Sequence, residues 1–199
     1  MREIGPIKQI QIQRASLKIG QKPYRYYDPS PLQVVRTLLL SARGVVGITE
    51  GGEAIIDVHH ADHPTSKNRR TNGISLGFTS HYVSMRTQFG PHLLNGCAGE
   101  NILVETEYEQ ALSDLEHGIA IKRAKTGHLV YLTNIMVAAP CVEFSQFAVC
   151  DIVPLAGEWL KETLQFLHDG RRGFYATLAP QRQQATIQVG DIVLALDPT

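Results

Sequence analysis

The stretch IAIKRAKTGHLVYLTNIMVA, residues 119–138, decides the fold. Its two ends, Ile119 to Ala124 and Leu129 to Ala138, are dense in Ile, Val, Leu and Tyr, with Gly118 in front and Gly127 between them. Branched and aromatic side chains favour extended backbone and glycine supplies the turn, so the spacing predicts two neighbouring strands. Similar runs lie on both sides. Ile7, Gln9, Ile10 and Ile12 open an alternating pattern, and Val45 to Thr49 and Ala54 to Val58 flank the turn residues Gly51 and Gly52. Ile102 to Glu105, Phe174 to Leu178 and Ile187 to Leu196 follow, the last interrupted at Gly190 and Asp191.

Helical signals are fewer. After a Pro-, Tyr- and Gly-rich break from Gly20 to Pro31, Ser30 as cap, Pro31 in the first turn and a stripe of Val34, Val35, Leu38 and Leu39 before Gly44 predict one helix. A second is predicted over Thr79 to Phe89, capped by Thr79 or Ser80 and ended by Gly90 and Pro91. Leu160, Leu164 and Leu167 share a face of a third, Glu158 to His168, with Gly170 beyond its end. The sum is an α+β, mainly β architecture, a partly closed β-barrel with peripheral helices. With no repeat, low-complexity tract or linker, residues 1–199 read as one domain in which 1–50 form an N-terminal strand and helix extension.

The chain of 199 residues, 43% hydrophobic and 19% charged, can bury a real core. Its 19 Lys and Arg offset 19 Asp and Glu, so no overall field draws it to nucleic acid or a charged membrane surface, and any anion site must be local. Met1 to Gln13 lack a long apolar run and no stretch reaches membrane-spanning length, so a cytoplasmic address is expected. The three cysteines, Cys97, Cys141 and Cys150, show no C-x-x-C spacing; free thiols are expected rather than disulfides, a zinc site or an iron–sulfur cluster.

Four groups of residues could carry chemistry. Cys141 follows Pro140 at the end of a predicted strand, on stiff backbone, where a thiolate could bind a soft metal or carry sulfur; it equally reads as one more buried cysteine. Glu100 and Asn101 follow Gly99 in a turn that either aims them at a ligand or simply reverses the chain. Arg171 and Arg172, and Lys67, Arg69 and Arg70 in the polar loop from His59 to Gly73, could bind phosphate, with Arg172 and Arg69 the first choices. Within that loop His59-His60-Ala61-Asp62-His63 nearly spells the H-x-H-x-D-H pattern of two-metal hydrolases, with Val58 where the first histidine belongs.

The order and spacing of Gly99-Glu100-Asn101-Ile102-Leu103-Val104, Pro140-Cys141 ahead of Phe144, Gly170-Arg171-Arg172-Gly173-Phe174-Tyr175 and Val189-Gly190-Asp191-Ile192-Val193 resemble MOSC domains such as the C-terminal domain of molybdenum cofactor sulfurases. The resemblance covers about residues 51–197. It implies a barrel-like fold and handling of the pterin-based molybdenum cofactor (molybdopterin) or its sulfur, with Cys141 as metal ligand or persulfide carrier. With it Glu100 and Asn101 read as cofactor-binding residues, Arg69 and Arg172 as the basic residues that would bind the cofactor's phosphate, and His59 and Asp62 as bonded to each other or to the ligand. Reduction of N-hydroxylated compounds is the implied enzymatic form, and electrons or sulfur would then come from a partner protein. Many MOSC domains carry a His-Gly-Gly run where this chain has His60-Ala61-Asp62, which alters the loop. The alternatives from other classes are a metal-dependent hydrolase using His59, Asp62 and His63, and a non-catalytic binding domain of the same fold.

Overall fold

Alternating apolar residues fold this chain into staves around one interior. A computed structural model describes residues 1–150 and 157–198. In chain order the strands are β1 (Arg2–Gln13), β2 (Lys18–Ile19), β3 (Tyr26–Tyr27), β4 (Leu32–Val34), β5 (Thr37–Ser41), β6 (Gly44–Ile48), β7 (Ala54–Ile56), β8 (Ile74–Phe78), β9 (Ile102–Val104), β10 (Ile119–Lys122), β11 (Leu129–Val137), β12 (Phe174–Leu178), β13 (Gln184–Ile187) and β14 (Ile192–Ala195). The helices are α1 (Thr79–Phe89), α2 (Val142–Ala148) and α3 (Gly157–His168).

Seven strands form a closed ring in the order β1, β14, β10, β11, β12, β8, β9 and back to β1. The hairpin expected from residues 119–138 supplies two of them, pairing Ile119 with Leu132 and Lys122 with Leu129. Val130 and Leu132 face the core while Tyr131 between them is exposed, as a period of two requires. Every joint is antiparallel except β8 to β9, where a parallel pair needs a crossover, and the segment carrying α1 provides it. The interior is filled by Ile10, Leu76, Phe78, Ile121, Leu132 and Phe174, among others.

Closure depends on β1. Its first residues pair with β14, its middle with β9 and its last with β4, so the N-terminal segment is a stave of the barrel rather than an appendage. The pairing shifts register between Glu3 and Gly5, where β1 passes so close to the next strand's end that a Cβ on Gly5 would fall 2.0 Å from the Glu105 carbonyl oxygen. Only glycine allows that approach.

The helix expected after Ser30 does not form. Residues 32–41 are β4 and β5, and β5 joins a second sheet in the order β13, β5, β6, β7. The stripe of Val34, Val35, Leu38 and Leu39 is outvoted by a period of two, with Leu38 and Leu40 fully buried and Leu39 between them only partly so. Pairing of Leu38–Ser41 with both β6 and β13 rewards the extended form, and tertiary context overrides local pattern. The hairpin expected around Gly51 and Gly52 is present as β6 and β7. The expected last strand is divided into β13 and β14 by a turn that Asp191 ties down, accepting the backbone N–H groups of Gln188 and Ala124. Helix α1 has the predicted bounds, but Phe78 occupies its cap position, while the Thr79 and Ser80 hydroxyls bond to Thr106 and Tyr108. Among the described residues no helix is long and apolar enough to cross a membrane.

Ile10 has no exposed surface and faces the interior from the closing strand. Ile10→Ala is therefore expected to cost about 2–5 kcal/mol in a urea unfolding titration; a loss well under that range would mean that β1 contributes little to closure.

Candidate functional site at the barrel rim

Strand β11 ends at Val137, and the chain turns through Pro140 into α2. Cys141 stands at the cap of that helix with extended backbone, its carbonyl accepting the Ser145 N–H at 2.9 Å. Its side chain is half-buried and packs against a second apolar cluster that includes Tyr27, Tyr82, Cys97 and Phe144.

A cation stands near this thiol. Arg172 lies with its guanidinium carbon 4.9 Å from the centre of the Phe144 ring, a cation–π arrangement. No carboxylate comes within ion-pairing distance of Arg172 among the described residues, the nearest acidic influences being Glu100 and the groups of Tyr27, Tyr175 and Cys141. Burial opposes its charge, yet those neighbours outweigh burial and hold its proton more firmly than usual.

Glu100 sits beneath, only 2% exposed. Burial pushes its carboxyl up from the usual range, and Arg172 and the Tyr82 hydroxyl partly restore the charged form. The Tyr82 hydroxyl lies 3.0 and 2.8 Å from the two Glu100 oxygens and accepts the Ala98 N–H at 2.9 Å. Two glycines make the slot. A Cβ on Gly77 would lie 2.5 Å from a Glu100 oxygen, and one on Gly173, whose φ is +103°, would lie 3.2 Å from the Glu100 Cγ. The Gly170–Tyr175 block thus lets the backbone pass Glu100 while sending Arg172 toward Phe144 and Cys141.

The Cys97 thiol is buried beside the same carboxyl, and burial followed by Glu100 pushes it up to about 12, which keeps it protonated. Glu143 behaves in the opposite way. It is nearly buried on the first turn of α2, and burial alone would raise it, but its own backbone N–H, Arg25, Lys18 and the Cys141 thiol together bring it down to about 2. Arg25 Nε donates to it at 2.5 Å, and Lys18 Nζ lies 3.4 Å from its other oxygen. Its negative charge is thereby committed to the β2–β3 hairpin, and among the described residues Arg172 has no ion-pair partner beside the half-exposed sulfur.

The remaining expected residues are elsewhere. Asn101 receives the Ser75 N–H and hydroxyl at its Oδ1 and donates through Nδ2 to the Gln11 carbonyl and Asp57. These bonds use its capacity, so it is an internal clasp between β1 and β8 rather than the ligand-facing amide expected. His59 places its ring 3.1 Å from Asp57, whereas Asp62 pairs with Arg43 on the surface; the expected bond between His59 and Asp62 is absent because each has another partner. Arg69 is exposed, its backbone N–H capped by Asn72, and no hydrogen bond or ion pair links its loop to Cys141, Glu100 or Arg172. Arg171 is spent on Glu109 and the face of Phe166. His63 bonds the Arg14 carbonyl, and among the described residues no three His, Cys, Asp or Glu side chains converge to hold a metal, so the hydrolase alternative finds no ligand set.

Three expected residues, Cys141, Glu100 and Arg172, are thus brought together. Tyr27, Tyr82, Cys97, Glu143, Arg25 and Lys18 join them without having been expected. Glu143 could have been suspected from its place two residues after Cys141, but nothing local marks Tyr27 or Tyr82. Grooves open elsewhere too, including one of about 420 Å³ on the outer barrel wall bounded by Tyr131, Leu178, Arg182 and Leu196. It holds neither a nucleophile nor a cluster of titratable groups, so size alone does not make it the site.

No protein-family model matches this sequence, and no curated protein matches it significantly. Solved structures do. The YuaD protein of Bacillus subtilis aligns over 97% of this chain and 96% of its own, with a TM-score of 0.57 and 13% identity. YiiM of Geobacillus stearothermophilus aligns over 96% of this chain and 75% of its own, with a TM-score of 0.52 and 16% identity. Both are MOSC-type proteins and the barrel described here has that fold; at such identities the likeness concerns the fold alone.

Two outcomes follow from the site's electrostatics. Glu143 is held at about 2 against an ordinary 4.5, so its ion pairs stabilise the protein above about pH 4.5 and the benefit is lost as pH falls toward 2. Urea midpoints measured across that window should fall less steeply for Glu143→Gln than for the parent. Tyr82→Phe removes the hydroxyl bonded to Glu100 and orphans the Ala98 N–H, with an expected cost of about 1–3 kcal/mol in the same titration at neutral pH.

Proposed function

We propose that this chain is a MOSC-type protein that binds the pterin-based molybdenum cofactor or carries sulfur for it, with Cys141 as the working sulfur. The observation that carries this reading is the nearness of a half-exposed thiol at the barrel rim to Arg172, a guanidinium with no ion-pair partner among the described residues. The other two thiols lack that setting. Cys97 is buried and held protonated, and Cys150 is exposed at the far end of α2, one helix away from Arg172.

The donor set fits such a cofactor. Cys141 offers a soft sulfur ligand, and Arg172 offers a fixed cation for an anionic oxygen through charge-assisted hydrogen bonds. Glu100 is 2% exposed, so it acts on Arg172 through its buried electrostatic influence rather than by meeting the ligand itself. When bound, the group supplies a metal centre capable of two-electron chemistry, for which reduction of N-hydroxylated compounds is the reading carried from the sequence. The described residues supply no redox group of their own beyond thiols, so electrons or sulfur come from a partner protein in this account.

Protein purified from cells supplied with molybdate provides the test. Cys141→Ser should lose bound molybdenum or persulfide label, and Arg172→Gln should retain the persulfide-forming thiol but hold about tenfold less cofactor, the loss of one strong charge-assisted contact. Unchanged molybdenum and unchanged persulfide labelling in Cys141→Ser would remove the proposal.

A further inference from the structure

Strands β2 and β3 form a small hairpin that leans on α2 beside Cys141. Its two attachments differ in kind. At the inner end the Tyr27 ring packs on Phe144 and Phe147, with centres 5.1 and 5.3 Å apart, and the Tyr27 hydroxyl donates to the Cys97 carbonyl at 2.9 Å. That end is part of the apolar cluster. At the outer end the attachment is Glu143, which receives Arg25 on one oxygen and Lys18 on the other. The side chains of Lys18 and Arg25 are 39% and 31% exposed and that of Glu143 is 7% exposed, so water and salt reach this contact from its cationic side. Beyond it Tyr24 and Tyr26, 83% and 55% exposed, are not covered by any other part of the described chain.

We propose that Glu143, by clasping Arg25 and Lys18, is a specificity-determining residue of the Cys141 site. The clasp holds the hairpin against α2 and admits only narrow reactants to the sulfur, so that a protein-sized sulfur or electron donor reaches it when the clasp releases. The inference rests on the reading of Cys141 as the working sulfur. Water and salt act on the pairs from their cationic side, so anything that breaks the clasp shifts the balance toward the released form. The apolar anchor at Tyr27 stays in place and confines the motion to the outer end.

Access is measured by alkylation in a Cys150→Ser background, where Cys141 is the accessible thiol and Cys97 is buried. Iodoacetamide serves as the narrow reagent and a polyethylene-glycol-linked maleimide as the wide one. Both are attacked by the thiolate, so the ratio of their rate constants is insensitive to how much thiolate is present. Arg25→Gln combined with Lys18→Gln, and separately Glu143→Gln, should raise the wide-to-narrow ratio about tenfold. Salt near 1 M should raise the ratio in the parent and leave both variants unmoved, a response that loss of packing alone would not give. If the double variant does not fold, Glu143→Gln and the salt response decide. A ratio within about twofold of the parent in the folded variants, no salt response, or a Cys141 that reacts with neither reagent overturns the proposal. The assay needs no cofactor, so a changed ratio in the clasp variants beside molybdenum and persulfide contents left unchanged by Cys141→Ser would sink the Cys141 function while leaving the gate, and the converse would sink the gate alone.

Discussion

A carboxyl group almost without water, Glu100, sets the terms at the rim. An ionised carboxylate in such a place is costly unless it is hydrogen-bonded and faces a positive charge. Tyr82 supplies the hydrogen bond from α1 and Arg172 the charge from the turn before β12. Gly77 and Gly173 leave the space in which Glu100 lies. Two stretches distant in sequence, residues 77–82 and 172–173, thereby meet at one group. Because Arg172 feels the Glu100 carboxyl and stacks on Phe144, it stands near Cys141 with no surface ion-pair partner among the described residues. The chemistry proposed for the sulfur follows from that placement.

Two charge systems meet at α2 and are kept apart. Arg172 belongs to the interior, with Glu100 and the aromatic cluster, whereas Arg25 and Lys18 belong to the hairpin and are answered by Glu143. Cys141 stands between them and is felt by both. An arrangement in which Glu143 paired with Arg172 instead would cancel the cation beside Cys141. By answering Glu143, the hairpin's basic residues leave Arg172 free of that carboxylate.

Much of the barrel was legible because its staves are local patterns. Residues 119–138, with glycines at the turn and a period of two, declare a hairpin that the fold contains, and α1 and the pairing around Gly51 and Gly52 are equally plain. Residues 32–41 were misread because Val34, Val35, Leu38 and Leu39 satisfy a helical stripe as well as a strand, and only their pairing with distant β13 decides between them. Of the site, Cys141, Glu100 and Arg172 were reachable through motifs. Asn101 carried the same motif signal, yet Ser75, Gln11 and Asp57 claim it, and such claims come from β1 and β8 far away in sequence. Tyr27 and Tyr82 join through tertiary contacts alone, and no residue near them announces it. The third helix was expected from Glu158 and begins one residue earlier, next to residues 151–156, which lie outside those described.

The central claim concerns which sulfur works. Native mass spectrometry with peptide mapping, on protein isolated without reductant from cells supplied with molybdate, addresses it most directly. The account predicts that retained cofactor, or one additional sulfur atom, maps to the peptide containing Cys141 and disappears when Arg172 and Cys141 are both replaced. Finding that mass on the Cys150 peptide, or on Cys97, would contradict it.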